Sequence, residues 1–127
     1  MLRTLYRELS ALLEQAGFTV WAADAVPPDA AFPFVAMEIR PAGSMHGTGW
    51  VTLTGWLRSP ARHAERLAMA DALLRLVPAG GLRLPLQGGL ALLQRGDRLN
   101  VEWPESRGAL GVQVKHGLRV MGGGSDD

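Results

Sequence analysis

The chain has 127 residues, 47% of them hydrophobic, which suits one domain with a self-sufficient core and leaves little room for a second. It contains no cysteine, so disulfides, thiolate zinc sites and cysteine nucleophiles are excluded. Thirteen basic against twelve acidic residues leave a net charge of +1, with Lys115 the only lysine, and no broad basic footprint for nucleic acid stands out.

Leu2, Leu5, Tyr6, Leu9, Leu12, Leu13 and Ala16 recur at three- and four-residue steps. That spacing predicts an amphipathic helix over 2–16, stopped at Gly17, where a left-handed residue is wanted. Arg3, Arg7, Glu8 and Glu14 are spread through it, which argues against a signal peptide. No apolar run approaches the ~18 residues of a membrane span, and the chain reads as soluble. Residues 18–22 read as a short strand. Pro27, Pro28 and Pro33, with Asp24 and Asp29, make 24–33 a stiff loop. Residues 34–40 alternate, with Val35, Met37 and Ile39 on one face and Phe34, Ala36, Glu38 and Arg40 on the other. A glycine-rich connection over 41–49 leads to a second alternating strand at 50–57. Val51, Leu53 and Leu57 form its aliphatic side; Trp50, Thr52, Thr54 and Trp56 form the opposite side.

Ser59-Pro60 reads as a helix start, a capping hydroxyl followed by a proline in the first turn. The helix is expected to run to about Leu76, with Ala64, Leu67, Ala70, Leu74 and Val77 as its core stripe and Arg62, Glu65, Arg66 and Arg75 on its wet side. Residues 82–86, 90–94 and 99–103 are strand candidates separated by Gly-rich turns. Over 110–120, Leu110, Val112, Val114, His116, Leu118 and Val120 alternate with Gly111, Gln113, Lys115, Gly117 and Arg119, as in a long antiparallel strand with one wet face. Strands grouped with two helices, rather than alternating one for one, predict an α+β domain over 1–121: a mostly antiparallel or mixed sheet with both amphipathic helices on one face. Residues 122–127 (Gly-Gly-Gly-Ser-Asp-Asp) read as a flexible tail.

Few residues support catalysis. The glycines of 43–49 precede a strand and lack the Gly-Lys-Ser/Thr that opens a P-loop helix. His46, His63 and His116 have no second ligand at metal-like spacing. Ser10, Ser44, Ser59, Ser106 and Ser125 form no nucleophile elbow, and Glu102 with Glu105 would need a deep cleft to act as an acid–base pair. No catalytic, cofactor-binding or metal-binding residue is therefore expected. Arg58, Arg62 and Arg66 are four apart and would share a helix face, but Glu65 and Asp71 interrupt the basic run, which suits a partner-facing surface better than nucleic acid. Trp50 and Trp56 face away from the aliphatic side of their strand, together with Glu38, Arg40, Lys115 and Arg119. Either neighbouring strands or the N-terminal segment cover them, or they anchor a protein contact, since Trp and Arg are enriched at such anchors.

Over residues 1–121 the ordered layout resembles the tail terminator (tail completion) proteins of long-tailed bacteriophages and gene transfer agents. The opening helix, the short strand, the proline-rich turn and the strand Ala31-Phe-Pro-Phe-Val-Ala-Met-Glu-Ile39, with its segment Phe32-Pro33-Phe34-Val35, carry the likeness. The glycine loop, the 50–57 strand, the Ser59-Pro60 helix and the long last strand complete it. The resemblance implies a non-enzymatic virion protein, assembled in the host cytoplasm. Its copies form a six-membered ring that caps the tail tube, stops polymerisation and meets the head connector, with DNA passing the lumen and no membrane involved. On this reading Trp50, Trp56, Lys115 and Arg119 contribute one ring patch and Arg58, Arg62 and Arg66 the other, while Gly43, Ser44, Met45, His46 and Gly47 dock on the tube. Another neck, head–tail joining or minor tail protein, a small protein-binding adaptor, or a small hydrolase or metal enzyme are the alternatives.

Overall fold

The computed structural model describes residues 2–42 and 48–122. Helix α1 (Leu2–Gln15) sends Leu5, Leu9 and Leu13 into the core, each one turn from the next. It ends as expected: Gly17 adopts φ 95°, and the amides of Gly17 and Phe18 close on the carbonyls of Glu14 and Leu13 at 2.9 and 3.0 Å. The chain continues through β1 (Val20–Ala22), β2 (Phe34–Arg40), β3 (Gly49–Arg58), α2 (His63–Leu74), β4 (Leu82–Leu86) and β5 (Gly89–Gln94). A 3₁₀ turn (Arg98–Asn100), the two-residue β6 (Glu105–Ser106) and β7 (Ala109–Met121) complete it.

The strands form one sheet in the order β1-β2-β3-β7-β5-β4, with β6 also beside β7. Among the described residues only the β1–β2 pair is parallel; the remaining pairs are antiparallel. This is the expected α+β class. Period-two alternation assigns the faces. Val35 and Met37, Val51 and Leu53, and Val112, Val114 and Leu118 meet both helices on the inner face, and all are buried. The central crossing is tight. A Cβ on Gly55 would lie 2.6 Å from Cγ and Sδ of Met69 and 3.2 Å from Leu73 Cδ1, so a bare backbone lets α2 settle onto β3.

Two sequence expectations need correction. The second helix starts at His63, not at Ser59. The Ser59 amide is held by the Gly108 carbonyl at 3.0 Å, which carries the chain on past the end of β3 and away from the helix axis. Arg62, extended at φ −71° and ψ 150°, becomes the N-cap, and the Glu65 carboxylate accepts from its amide at 3.4 Å. Of the expected core stripe Ala70, Leu74 and Val77 are buried, joined by Met69 and Leu73, whereas Ala64 and Leu67 are exposed. The helix is apolar on most sides, so periodicity alone does not fix which side turns inward.

The expected 99–103 strand is instead the 3₁₀ turn, capped by the Asp97 carboxylate accepting from the Leu99 amide at 2.8 Å. Pairing with β7 resumes only at the Glu102–Gln113 bridge and β6. Between β5 and that bridge, 95–101 forms a strap across the flank of β7. Gly96 lies so close to the Lys115 carbonyl that no side chain fits there.

Candidate protein-interaction surfaces

Register fixes the outer sheet face in cross-strand rows. Phe34, Trp56, Gly111 and Pro104 form one; Ala36, Thr54, Gln113 and Glu102 the next; then Glu38, Thr52 and Lys115; then Arg40, Trp50, Gly117 and Gln94. The first two rows are largely closed. Phe34, Ala36 and Thr54 are buried, Gln113 Nε2 donates to Thr54 Oγ1 at 3.0 Å, and Pro104 and Trp56 crowd onto Gly111. Trp56 is therefore half-buried within its own chain, not free on a wet face. The wet half of the face is the other end. Trp50 is 48% exposed, Lys115 and Arg119 are exposed, and Arg40 is exposed and held to Glu38 by an Nε–Oε1 contact of 2.8 Å. Between this end and the strap lies an open cleft of about 670 Å³, with Trp50, Lys115 and Gly117 as floor and Asp97, Leu99 and Glu102 among its walls.

The three expected arginines do not share a helix face, because the helix begins only after Arg62. Arg58 ends β3 with its guanidinium 5.5 Å from the Phe32 ring centroid, and Arg62 is the exposed N-cap. Arg66, in the first turns of α2, donates from Nη2 to the Gly111 carbonyl at 2.9 Å and lies 5.3 Å from the Trp103 ring centroid. Its Nε is buried without a partner. His63, one turn earlier, faces the same indole at 6.2 Å. Gly43, Ser44, Met45, His46 and Gly47 lie outside the described residues.

His116 is a core residue. Its Nε2 donates to the Leu73 carbonyl at 2.9 Å and its Nδ1 accepts from the Gly96 amide at 3.0 Å, an assignment that satisfies both nitrogens of a neutral ring. Burial pushes its pKa down; the bond to Leu73 opposes that and the Arg95 charge adds to it. Among the described residues no three His, Asp or Glu side chains gather as metal ligands, and no helix is long and apolar enough to cross a membrane.

No protein-family model, curated protein or solved structure matches this chain. Its surfaces include three exposed hydrophobic side chains that sequence reasoning missed. Leu67, Leu99 and Trp103 are 44%, 89% and 41% exposed. Leu67 sits on α2 between His63 and Asp71, one turn from each. Trp103 packs against His63 and Arg66, and Arg98, next to Leu99, reaches Asp71 at 3.5 Å. The sequence signal for Leu67 is the run Leu67-Ala-Met-Ala70, too apolar for a helix with one wet side. The folding of the strap against α2 has no local signature.

Proposed function

We propose that this chain is a structural, non-enzymatic assembly protein of the tail-terminator kind. Copies of it close into a ring, six in number as the resemblance implies, which caps a phage tail tube, stops its polymerisation and joins it to the head connector. The tube protein and the connector are then its partners, DNA passes the lumen without specific recognition, and its place is the tail or neck of the virion after assembly in the host cytoplasm. One observation carries this reading. Trp50, a side chain worth burying, stands half exposed on the open end of the sheet among Arg40, Lys115 and Arg119. Aromatic and Arg side chains left out of a core in this way are characteristic of protein contact surfaces. The order of elements, which resembles the terminator layout from α1 to β7, supports the same reading.

Light scattering across a concentration series, alone and with assembled tail tubes, tests it. A ring of six weighs about 82 kDa, six times the 13.6 kDa chain. Trp50→Ala with Lys115→Glu lies on the exposed end, so it leaves stability within about 0.5 kcal/mol while tube capping is lost. A 13.6 kDa monomer under both conditions overturns the ring. It moves the balance to a small adaptor whose binding site is the cleft beside Trp50.

A further inference from the structure

Two tryptophan–glycine pairs stand on the outer sheet face, Trp56 opposite Gly111 and Trp50 opposite Gly117. The first is closed by a proline. The position a Cβ would take on Gly111 lies 2.9 Å from Trp56 Cζ3 and 2.9 Å from Pro104 Cγ, so the bare glycine lets an indole and a proline ring settle on one spot. The second pair is open. The three atoms nearest a Cβ on Gly117 belong to Gln94 and Thr48, at 3.6–4.0 Å, and none to the Trp50 indole. The φ of Gly117 is not positive either, so neither space nor backbone demands glycine there. A mid-strand glycine that the fold itself does not require marks a place where another group comes close. Trp50, 48% exposed, stands beside it, and Leu99, 89% exposed, walls the same cleft.

We infer that this cleft seats Pro28 of a second copy of the chain on Trp50 and Gly117, with Asp29 of that copy turned to Arg119. The inference rests on the self-assembly reading above and names one contact within it. The closed pair identifies proline as the ring that fits. Of the eight prolines only Pro28 and Pro104 precede an acidic residue. Pro28 and Asp29 form the exposed tip of a turn, closed by the Ala30 amide donating to the Pro27 carbonyl at 3.1 Å. Charge sets the direction. The cleft walls carry Arg95, Lys115, Asp97 and Glu102, with Arg95 committed to the Val77 carbonyl and Asp97 to the Leu99 amide. Glu102 pairs with Gln113, about 14 Å from Gly117 along β7, whereas exposed Arg119 lies about 7 Å away in the opposite direction. A carboxylate next to a proline on Gly117 is therefore drawn to Arg119 and away from Glu102. The turn does not fill the cleft of its own chain. It joins β1 to β2, three strand spacings or about 14 Å separate β1 from β7, and no residue of 24–33 walls the cleft. The contact joins two unlike surfaces, as a ring requires.

The test disables one side at a time. Gly117→Val raises the cleft floor at a position where a Cβ meets only ordinary contacts, and Pro28→Ala with Asp29→Arg disables the exposed turn. Far-ultraviolet circular dichroism checks that each variant folds. Should Gly117→Val disturb the sheet, Arg119→Asp on the exposed side of β7 replaces it. In native mass spectrometry and light scattering, each variant alone loses self-association by ~10-fold or more. An equimolar mixture recovers a one-to-one heterodimer, because one intact cleft and one intact turn remain. Asp29→Arg and Arg119→Asp each weaken assembly, and combining them in one chain restores it; without that restoration the Asp29–Arg119 pairing is wrong. If a folded variant assembles like the parent chain, or the mixture yields no heterodimer, this contact is wrong while self-assembly stands. If Gly117→Val loses tube capping yet self-associates like the parent, the cleft takes a segment of the tube protein, and the contact between copies is overturned. If the parent chain stays monomeric at every concentration, alone and with assembled tubes, the contact and the ring fail together.

Discussion

At the scale of single residues, His116 is the most constrained polar group described. It ties the last turn of α2 to the strap, accepting from the Gly96 amide and donating to the Leu73 carbonyl. That carbonyl is among the last four of the helix, which have no partner within it. Because burial holds its folded pKa below the unfolded value of 6.5, the unfolded chain binds the proton first as pH falls. Its contribution is thus complete above 6.5 and declines as pH drops through 6.5 toward the folded pKa. Urea midpoints should be lower at about pH 5.5 than at about pH 8, and His116→Leu should flatten that slope. The same substitution orphans the Leu73 carbonyl and the Gly96 amide and costs about 1–3 kcal/mol for each group that water cannot reach. Gly55→Ala tests the other close contact. The added methyl meets Met69 at 2.6 Å, so α2 must lift, and thermal unfolding should report a loss of about 1–3 kcal/mol. The tryptophans teach the limit of local reading at this scale. Alternation correctly set Trp50 and Trp56 on one face, but Pro104, distant in sequence, covers only the second.

At the scale of elements, α2 shows what periodicity leaves open. Leu67 and Leu73 are both leucines on one apolar helix, yet Leu73 is fully buried and Leu67 is 44% exposed. In a folded monomer Leu73→Ala should cost about 2–5 kcal/mol by chemical denaturation, and Leu67→Ala should stay within about 0.5 kcal/mol. Equal losses at the two positions would return Leu67 to the core. The other helix was legible because it is not ambiguous. Charged residues interrupt α1 on one side only, and Gly17 marks its stop. The strap was illegible for a corresponding reason. Leu99, Val101 and Trp103 alternate like a strand, but the flank of β7 opposite 114–116 is taken by Gly96, so the strand pattern finds no partner there until Glu102.

At the scale of the whole molecule, β3 and β7 form the centre. Each has hydrogen-bonded neighbours on both sides, β2 and β7 for one, and β3 with β5 and β6 for the other. Native-state hydrogen exchange should therefore be slowest in Val51–Leu53 and Val112–Val114 and fast in β1, β4 and the 95–101 strap, which lie at edges or outside regular pairing. Uniform protection across all strands would contradict this hierarchy. The same layout separates the two surfaces discussed above. The open end of the sheet carries Trp50 and the cleft that Leu99 walls, the helical side carries Leu67, and the covered rows around Thr54 and Trp56 lie outside both.

Composition and alternation alone determined the α+β class, α1 with its glycine stop, and the two long strands with the right side chains on each face. Those features are local, because one element's pattern of polarity is enough to specify them. Tertiary structure decided how α2 rolls onto the sheet, where that helix begins, which of Trp50 and Trp56 stays exposed, and that the 95–101 strap lies against α2. Each of these depends on a contact between residues separated in the chain: Gly55 with Met69, Ser59 with Gly108, Trp56 with Gly111, and Asp71 with Arg98. No single helix or strand contains both partners.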